Sequence, residues 1–429
     1  MGRLALRLGL IAVLNLIVAF LIQWWTLIAI GPGNQTDALY AALAVPQVLL
    51  IVVTGSLTPV LVPLFAGQPR ESMHRDAWGF FLLVGGVFLI VSAVLSVSAG
   101  LWVPLLFPGF DAVLHRLTVE LARIQLVGMF FSTLSAVLIA AYRAHHRFLW
   151  PELAQLGVLV LALGVMVWAL PKFGIRSAAW IFSLRAVLLV LLLAPVLGRF
   201  MVPDWGNAVF RSAWRRIKPL LAGTTYYKSG PLVDRYLSSF VPPGGLSILY
   251  FGQQILDGAH NVVNKALTTP LLTRLVDAAQ AQAWREFRRL YLRQAAFVTV
   301  LMMSGIAILL TAGKLLLHLL VGHGAVTADN VELLWWLLVC MGGFLIGGGL
   351  GQTLSVAFYA VGETRIPTLI GVIGFSVGLL LKVVLFFRWG LSGIALGLTV
   401  HHLLNGLAFL ICVERMVRAK IGGASQSHD

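Results

Sequence analysis

Lys228 and Arg235 stand seven residues apart in an otherwise apolar stretch, with Pro231 and Asp234 between them. Seven residues is close to two helical turns, so both cations are expected on one helix face. Further on, Asp257, Asn261, Asn264 and Thr268 recur at the helical spacing of three to four, with His260 and Lys265 beside them. The first half of the chain carries sparser pairs: Asn15 and Gln23 eight apart, Gln47 and Thr54 seven apart. Such residues suit recognition rather than bond breaking, because cations and amides present N–H donors to an oxyanion. The competing reading is mutual neutralisation, Asp234 with Arg235 or Asp257 with Lys265, which would lock helix packing. No phosphate loop, hydrolase constellation or metal-ligand spacing accompanies them, so neither a cofactor nor a metal is expected, and ATP is not expected as the direct energy source. A coupling ion of unknown identity is allowed.

The elements that position these groups are membrane helices. Of 429 residues, 59% are hydrophobic and only 11% charged, with a mean hydropathy of +0.92. A soluble protein of this length needs more charge to cover its surface. Apolar runs and their breakers place twelve spans near 4–30, 38–66, 79–106, 117–142, 151–170, 177–198, 217–241, 246–276, 295–321, 331–361, 366–387 and 391–414. Each is long enough to cross a hydrocarbon core of ~30 Å. The expected class is therefore all-α integral membrane, in a bacterial inner (cytoplasmic) membrane.

The connections alternate in charge. Arg3 and Arg7, Arg70 and Arg75, Arg143 and Arg147, the run from Arg199 to Lys218, the run from Arg274 to Arg293, Arg365, and Arg415 to Lys420 all fall on one side. The other side holds only Arg116, Lys172, Arg176, Lys314 and Arg388. Cations concentrate on the cytoplasmic side, so both termini are expected there. The net charge of +15 is then mainly a topology signal, and a nucleic-acid partner is not expected. Arg3 and Arg7 precede an apolar run that continues past Trp25 with no small-residue cleavage site, which reads as a first span rather than a cleaved leader. Cys340 and Cys412 both lie in apolar helices and support neither a disulfide framework nor a metal site.

The remaining intramembrane polar groups have plainer readings. Arg123 with Glu120 lies near a helix end and reads as structural, and Lys382 reads as a side chain snorkelling to the interface. Arg185 is deep and isolated. His401 and His402 read as packing residues of the last helix rather than ligands. Asp37 reads first as a helix N-terminal charge, with Thr36 as its cap. Gly322-His323-Gly324 with Asp329 reads as an outer turn.

The two halves carry the same punctuation. Thr133-Leu134-Ser135 is followed by Pro151 and Gly174-Ile175; Thr353-Leu354-Ser355 is followed by Pro367 and Gly390-Leu391. The interval from proline to glycine is 23 residues in both. Leu39-Tyr40 and Leu57-Thr58-Pro59 are echoed by Leu249-Tyr250 and Thr268-Thr269-Pro270. A repeat beginning near Trp205 is expected, giving an N-terminal six-helix lobe at 1–205 and a C-terminal one at 206–429. Six helices per copy is even, so both copies enter the membrane in the same direction. They are expected to flank a central cavity about an axis along the membrane normal and to work by alternating access.

Gly31-Pro32-Gly33-Asn34-Gln35-Thr36-Asp37-Ala38-Leu39-Tyr40, followed by Pro46 and by Gly55 to Pro63, resembles the opening of the MurJ/MviN family. Ser238-Ser239-Phe240 through Tyr250-Phe251 to Pro270, and Val321-Gly322-His323-Gly324 to Thr327, resemble its later segments. Ala357-Phe358-Tyr359-Ala360-Val361-Gly362-Glu363-Thr364-Arg365-Ile366-Pro367 is similar to its A-F-Y-A-x-G-D-T-R-x-P signature. The resemblance runs along essentially the whole chain and stops at twelve helices, where the family usually has fourteen. It implies the fold of the multidrug, oligosaccharidyl-lipid and polysaccharide flippases. It also implies a flippase, not an enzyme, for an undecaprenyl-pyrophosphate-linked saccharide, either lipid II or a related lipid-linked oligosaccharide or exopolysaccharide unit.

The family's arginines thought to hold the pyrophosphate fall on Leu16, Ile22, Ile28, Leu50, Ile51 and Gln254, while Asp37 is retained. The expected substrate-binding set is accordingly Lys228, Arg235 and Lys265, with Asp257, Gln254, Asn261, Asn264, Asp37, Gln23 and Asn15. The expected partners are the lipid-linked saccharide and membrane lipids, bound by a monomer. A drug or cation antiporter of the same superfamily is the alternative; it would need a carboxylate-dominated, aromatic-lined pocket. A polysaccharide polymerase or ligase would need a long outer loop, and no outer connection is long enough.

Overall fold

The computed structural model describes residues 2–426, with the side chains at 2–5, 70, 219, 222–224, 227, 264–269 and 423–426 left aside. Among the described residues there is no strand. In chain order the helices are α1 (Gly2–Ile30), α2 (Asn34–Ala42), α3 (Ala44–Phe65), α4 (Arg70–Val97), α5 (Ala99–Leu106), α6 (Ala112–Ala144), α7 (Leu149–Phe173) and α8 (Ile175–Leu193). They continue with α9 (Ala208–Lys228), α10 (Gly230–Ser238), α11 (Gly245–Gln280), α12 (Trp284–Thr311), α13 (Gly313–Val321), α14 (Ala328–Cys340), α15 (Gly342–Ala360) and α16 (Arg365–Gln426). Joining the pairs separated by one residue, and dividing α16 at Gly390, where φ is 57° and ψ −133°, gives the twelve expected spans. Nine stretches among the described residues are long and apolar enough to cross a membrane by length and composition, one of them covering both halves of α16. The seventh and eighth spans are not among these nine, and they carry the polar groups singled out above.

The chain divides into two compact units: unit 1 is Met1–Ser247 with Gly324–Val326, and unit 2 is Ile248–His323 with Thr327–Asp429. Unit 1 extends well past the start of the sequence repeat near Trp205, because α9 and α10 pack on α3 and the start of α11 is bonded to α2. Its core surrounds α6, with Leu134, Val137, Leu138 and Tyr142 packed against Leu57, Leu61 and Phe65 of α3 and Phe80 of α4. Unit 2 repeats the arrangement around α15, where Leu354, Ala357 and Phe358 meet Leu275, Tyr291, Phe409 and Val413. Outside these cores, large apolar side chains such as Leu89, Ile90, Val300, Leu380 and Leu407 stay exposed. In a membrane protein such a surface faces lipid, which is as apolar as the side chain itself.

The repeated punctuation has a structural counterpart in each unit. Thr133, Leu134 and Ser135 are buried on α6, and Thr353, Leu354 and Ser355 on α15. Ser135 Oγ donates to Ser132 O at 2.7 Å and Ser355 Oγ to Gln352 O at 2.8 Å. Gly174 (φ 65°) ends α7 and Gly390 (φ 57°) breaks α16, both in backbone conformations that side chains disfavour.

Candidate functional site

Asp37 sits in the first turn of α2 and is 3% exposed. Its carboxylate is aimed at the start of α11, where Oδ2 accepts from Gly244 N at 2.6 Å and Oδ1 from Ser247 N at 2.8 Å. The first amides of a helix have no partner within it, and the helix dipole favours a negative charge there. Asp37 thus satisfies two orphan donors with a charge that also suits the dipole. Gly33 occupies the N-cap position of α2, and Thr36 caps it from three residues on: its hydroxyl accepts from Gly33 N at 3.0 Å and lies 2.9 Å from Gly31 O and 3.2 Å from Ser247 Oγ.

Around this latch other connections of unit 1 close together. Ala325 N donates to Ile28 O at 2.9 Å, and Gly109 N to Ser239 Oγ at 3.4 Å. Three glycines make the approach feasible. A Cβ on Gly31 would lie 2.7 Å from Ala325 O, one on Gly324 2.5 Å from Ile28 O, and one on Gly109 2.2 Å from Ser239 O. The connections after the first, third, seventh and ninth spans thus meet at one end of unit 1, as alternating topology requires.

Arg235 is 5% exposed, and one of its terminal nitrogens donates to Gln47 Oε1 of α3. The polar residues read from the second and seventh spans are brought together here. Lys228 does not join them: the seventh span is broken at Ser229, and Lys228 ends α9 as an exposed side chain. Pro231, which has no N–H for the carbonyl four residues back, is the physical reason for the break. Ser229 itself keeps right-handed helical φ and ψ (−76° and −15°), and the two cations differ in burial. Asp234 is buried beside Arg235.

On unit 2, Asp257 and Asn261 are exposed one turn apart on α11, with Gln254 and His260 half-buried. Polar side chains at membrane depth that are not packed against protein must meet water or a polar ligand. Asn264 and Lys265 continue this helix, but their side chains lie outside the described residues. In unit 1, Gln23 is half-buried on α1, while Asn15 is buried and its amide donates to Glu152 O of α7 at 3.3 Å. In this structure Asp37 and Asn15 hold helices, Gln23 and Gln254 are half-buried, and among the described residues of the expected set Lys228, Asp257 and Asn261 are exposed.

Arg123 is structural, as read: its Nε donates to Ser96 O at 3.1 Å, while Glu120 is taken by Arg176 at 2.7 Å. One other reading changes. Lys382 does not snorkel: it is 7% exposed, its stem against Gly397, where a Cβ would lie 2.8 Å from Lys382 Cγ. Sequence reasoning missed Glu414 of α16, which accepts from Arg288 Nε at 3.1 Å, Tyr291 Oη at 2.7 Å and Arg418 Nε at 3.3 Å. The arginine four residues after Glu414 was the only sequence signal for that network. Among the described residues no group of three or more His, Cys, Asp or Glu side chains is placed to hold a metal ion.

The family described as "Lipid II flippase MurJ" matches residues 28–427. The chain is 24% identical over 399 residues to a probable lipid II flippase MurJ of Bdellovibrio bacteriovorus, covering 87% of this chain and 75% of the relative. It is also 24% identical over 390 residues to the Thermotoga maritima protein of the same description, covering 89% and 78%. Among solved structures, a lipid II flippase MurJ in an inward closed conformation superposes with a TM-score of 0.81 at 16% identity, covering 95% of this chain and 87% of that one. An inward-facing multidrug transporter of the MATE family and MOP superfamily gives 0.77 at 14% identity, covering 96% of both. At these identities the superpositions speak for the fold, whereas the sequence match spans nearly the entire chain. On that match the chain belongs to the MurJ lipid II flippase family, which is a family of transporters and not of enzymes.

Proposed function

We propose that this protein moves an undecaprenyl-pyrophosphate-linked saccharide, with lipid II as the first candidate, from the inner to the outer leaflet of a bacterial inner membrane. The carrying observation is the family match over residues 28–427. It is supported by polar side chains left accessible on membrane helices. The cargo has two parts. Its lipid tail can stay in the bilayer, while its pyrophosphate and sugar need donors and water. Unit 1 offers Lys228, Arg235 and Gln23; unit 2 offers Gln254, Asp257 and Asn261, together with Asn264 and Lys265 in the same helix. Cations on these helices would take the part of the family arginines replaced by Leu16, Ile22, Ile28, Leu50, Ile51 and Gln254.

Alternating access is the proposed mechanism. Each unit has its own packed core, and packed cores switch between discrete arrangements rather than deforming continuously. Both termini face the cytoplasm, as the cation distribution requires, and a monomer suffices.

The test is genetic. Bacteria depleted of their resident lipid II flippase are supplied with this chain, and growth and outer-leaflet lipid II are followed. Rescue by the wild type, lost in Lys228→Ala and Arg235→Gln at normal membrane abundance, supports the reading. Rescue unaffected by both substitutions removes those cations from the transport path, and absence of rescue by a well-expressed wild type argues against lipid II as the cargo.

A further inference from the structure

A cleft of about 600 Å³ opens on unit 1 beside the C-terminal half of α3. Its walls include Gly55, Thr58, Pro59 and Pro63 of α3, Arg143 near the end of α6, and Phe148 just before α7. Gly55, Pro59 and Pro63 are exposed along one face of the helix, four residues apart. Pro59 and Pro63 have no N–H, so the carbonyls of Gly55 and Pro59 lose the donors that the next turn of a helix supplies. Such carbonyls cannot face hydrocarbon cheaply, because lipid offers no donor in return. This face of α3 must therefore meet water or a ligand that brings its own N–H or O–H groups. Nothing crowds it: a Cβ on Gly55 would have no atom within 4 Å.

The other wall is basic. Arg143 has 40% of its side chain exposed, and Glu152 holds it through a 3.4 Å approach of Nη2 to Oε1. A guanidinium carries five donors and pairs best with an oxyanion through two at once, so an arginine held by one long contact has capacity left for an anion. After Arg143 the chain turns through His145, His146 and Arg147, the last two exposed. Arg147 N donates to Tyr142 O at 3.0 Å, and His146 stands at φ 59°. At the corresponding turn after α15, Glu363 N donates to Phe358 O at 3.0 Å, and the left-handed position is filled by Gly362 at φ 76°. Glycine is the ordinary occupant of that position. The first copy instead keeps an imidazole there, 6.0 Å from the Phe148 ring that lines the cleft. Strain of this kind persists where it serves a site. Topology needs positive charge on this side of the membrane, but it needs neither an arginine lining a cleft nor a histidine in a glycine position.

We propose that this cleft is where unit 1 first takes up the cargo. Arg143 binds the pyrophosphate on the cation-rich side of the membrane, and the freed carbonyls of α3 accept the saccharide hydroxyls. This rests on the flippase reading above. It goes beyond it by assigning a docking site to residues outside the set expected from the sequence, with a cation that serves where the family arginines of the first two spans are replaced.

The test uses Gly55→Cys in a full-length chain whose own thiols are removed by Cys340→Ser and Cys412→Ser. In phosphatidylcholine nanodiscs, modification by a water-soluble maleimide is timed with and without fluorescent undecaprenyl-pyrophosphate disaccharide, and total binding of that lipid is measured in parallel. The bare protein is expected to react, and saturating lipid to slow the reaction severalfold. Arg143→Gln is expected to raise the half-saturating lipid concentration about 10- to 100-fold, the loss of hydrogen bonds to a charged group. Glu152→Gln removes the carboxylate that competes for Arg143, and is expected to lower that concentration. If the pair only braced α6 against α7, Glu152→Gln would shift it the same way as Arg143→Gln or not at all, and the proposal would fall.

No reaction at Gly55→Cys would show this face closed to water and overturns the proposal. So does lipid that binds without slowing the reaction, or half-saturation unmoved by Arg143→Gln. Equal protection by phosphatidylglycerol overturns it too, by making the cleft a general site for anionic lipids. Each of these leaves the flippase reading standing. Lipid that does not bind the wild-type protein at all overturns that reading, and the proposal with it.

Discussion

Asp37→Asn is the sharpest perturbation the structure offers, because it changes charge and donor pattern at a buried group without changing its size. In the native protein both carboxylate oxygens accept from backbone amides, Gly244 at 2.6 Å and Ser247 at 2.8 Å. The carboxamide keeps one acceptor, so one bond falls from about 1.5–3 to about 0.5–1.5 kcal/mol, while the other amide faces an NH₂ group and becomes an orphaned buried donor costing about 1–3 kcal/mol. The favourable charge at the start of α11 is lost as well, about 0.3–1 kcal/mol more. Together these give about 2–5.5 kcal/mol against the closed latch, or roughly a 30- to 8,000-fold rise in its opening at about 1.4 kcal/mol per tenfold. Hydrogen exchange resolved over residues 240–250 reads that opening directly. Exchange of the Gly244 and Ser247 amides within about threefold of wild type would refute the assignment of Asp37 as the latch.

Two further outcomes follow from unit 2. Tyr291→Phe removes a 2.7 Å bond from a fully buried hydroxyl to the Glu414 carboxylate. Unit 2 should lose about 1.5–3 kcal/mol, seen as a lower melting temperature in detergent, and an unchanged midpoint would mean that water replaces the hydroxyl. Gly347→Ala places a methyl group 2.3 Å from the backbone of His402, where no side-chain rotation relieves the clash. It should cost at least about 1–3 kcal/mol on the same scale, and a neutral result would show that α15 and the last half of α16 are free to separate.

Much of this architecture is legible from spacing alone. The twelve spans follow from apolar length, and the duplication follows from Thr-Leu-Ser, proline and glycine recurring in order, because Gly174 and Gly390 perform the same backbone task in each copy. What spacing misses is partnership across long sequence distance. Asp37 reads locally as a charge in the first turn of its own helix. Its actual partners are more than two hundred residues away, at the start of another helix, and no local rule links them. Glu120 and Arg123 are three apart and invite pairing, yet Arg176 reaches Glu120 first with two bonds. Lys382 would ordinarily reach for the interface, but Gly397 leaves room for its stem inside unit 2. Lys228 and Arg235 have helical spacing, yet Arg235 is buried against Gln47 of α3 while Lys228 stays exposed. In each case a local regularity gives way to a tertiary neighbour or to a backbone constraint.

Transport itself is read from the appearance of labelled lipid II at the outer surface of sealed liposomes containing the purified protein, detected with a membrane-impermeant enzyme that modifies only exposed headgroups. The protected pool is expected to be consumed in wild-type vesicles far faster than in protein-free ones, and more slowly in Lys228→Ala vesicles. A protected pool that persists unchanged beside active, folded protein would contradict that expectation.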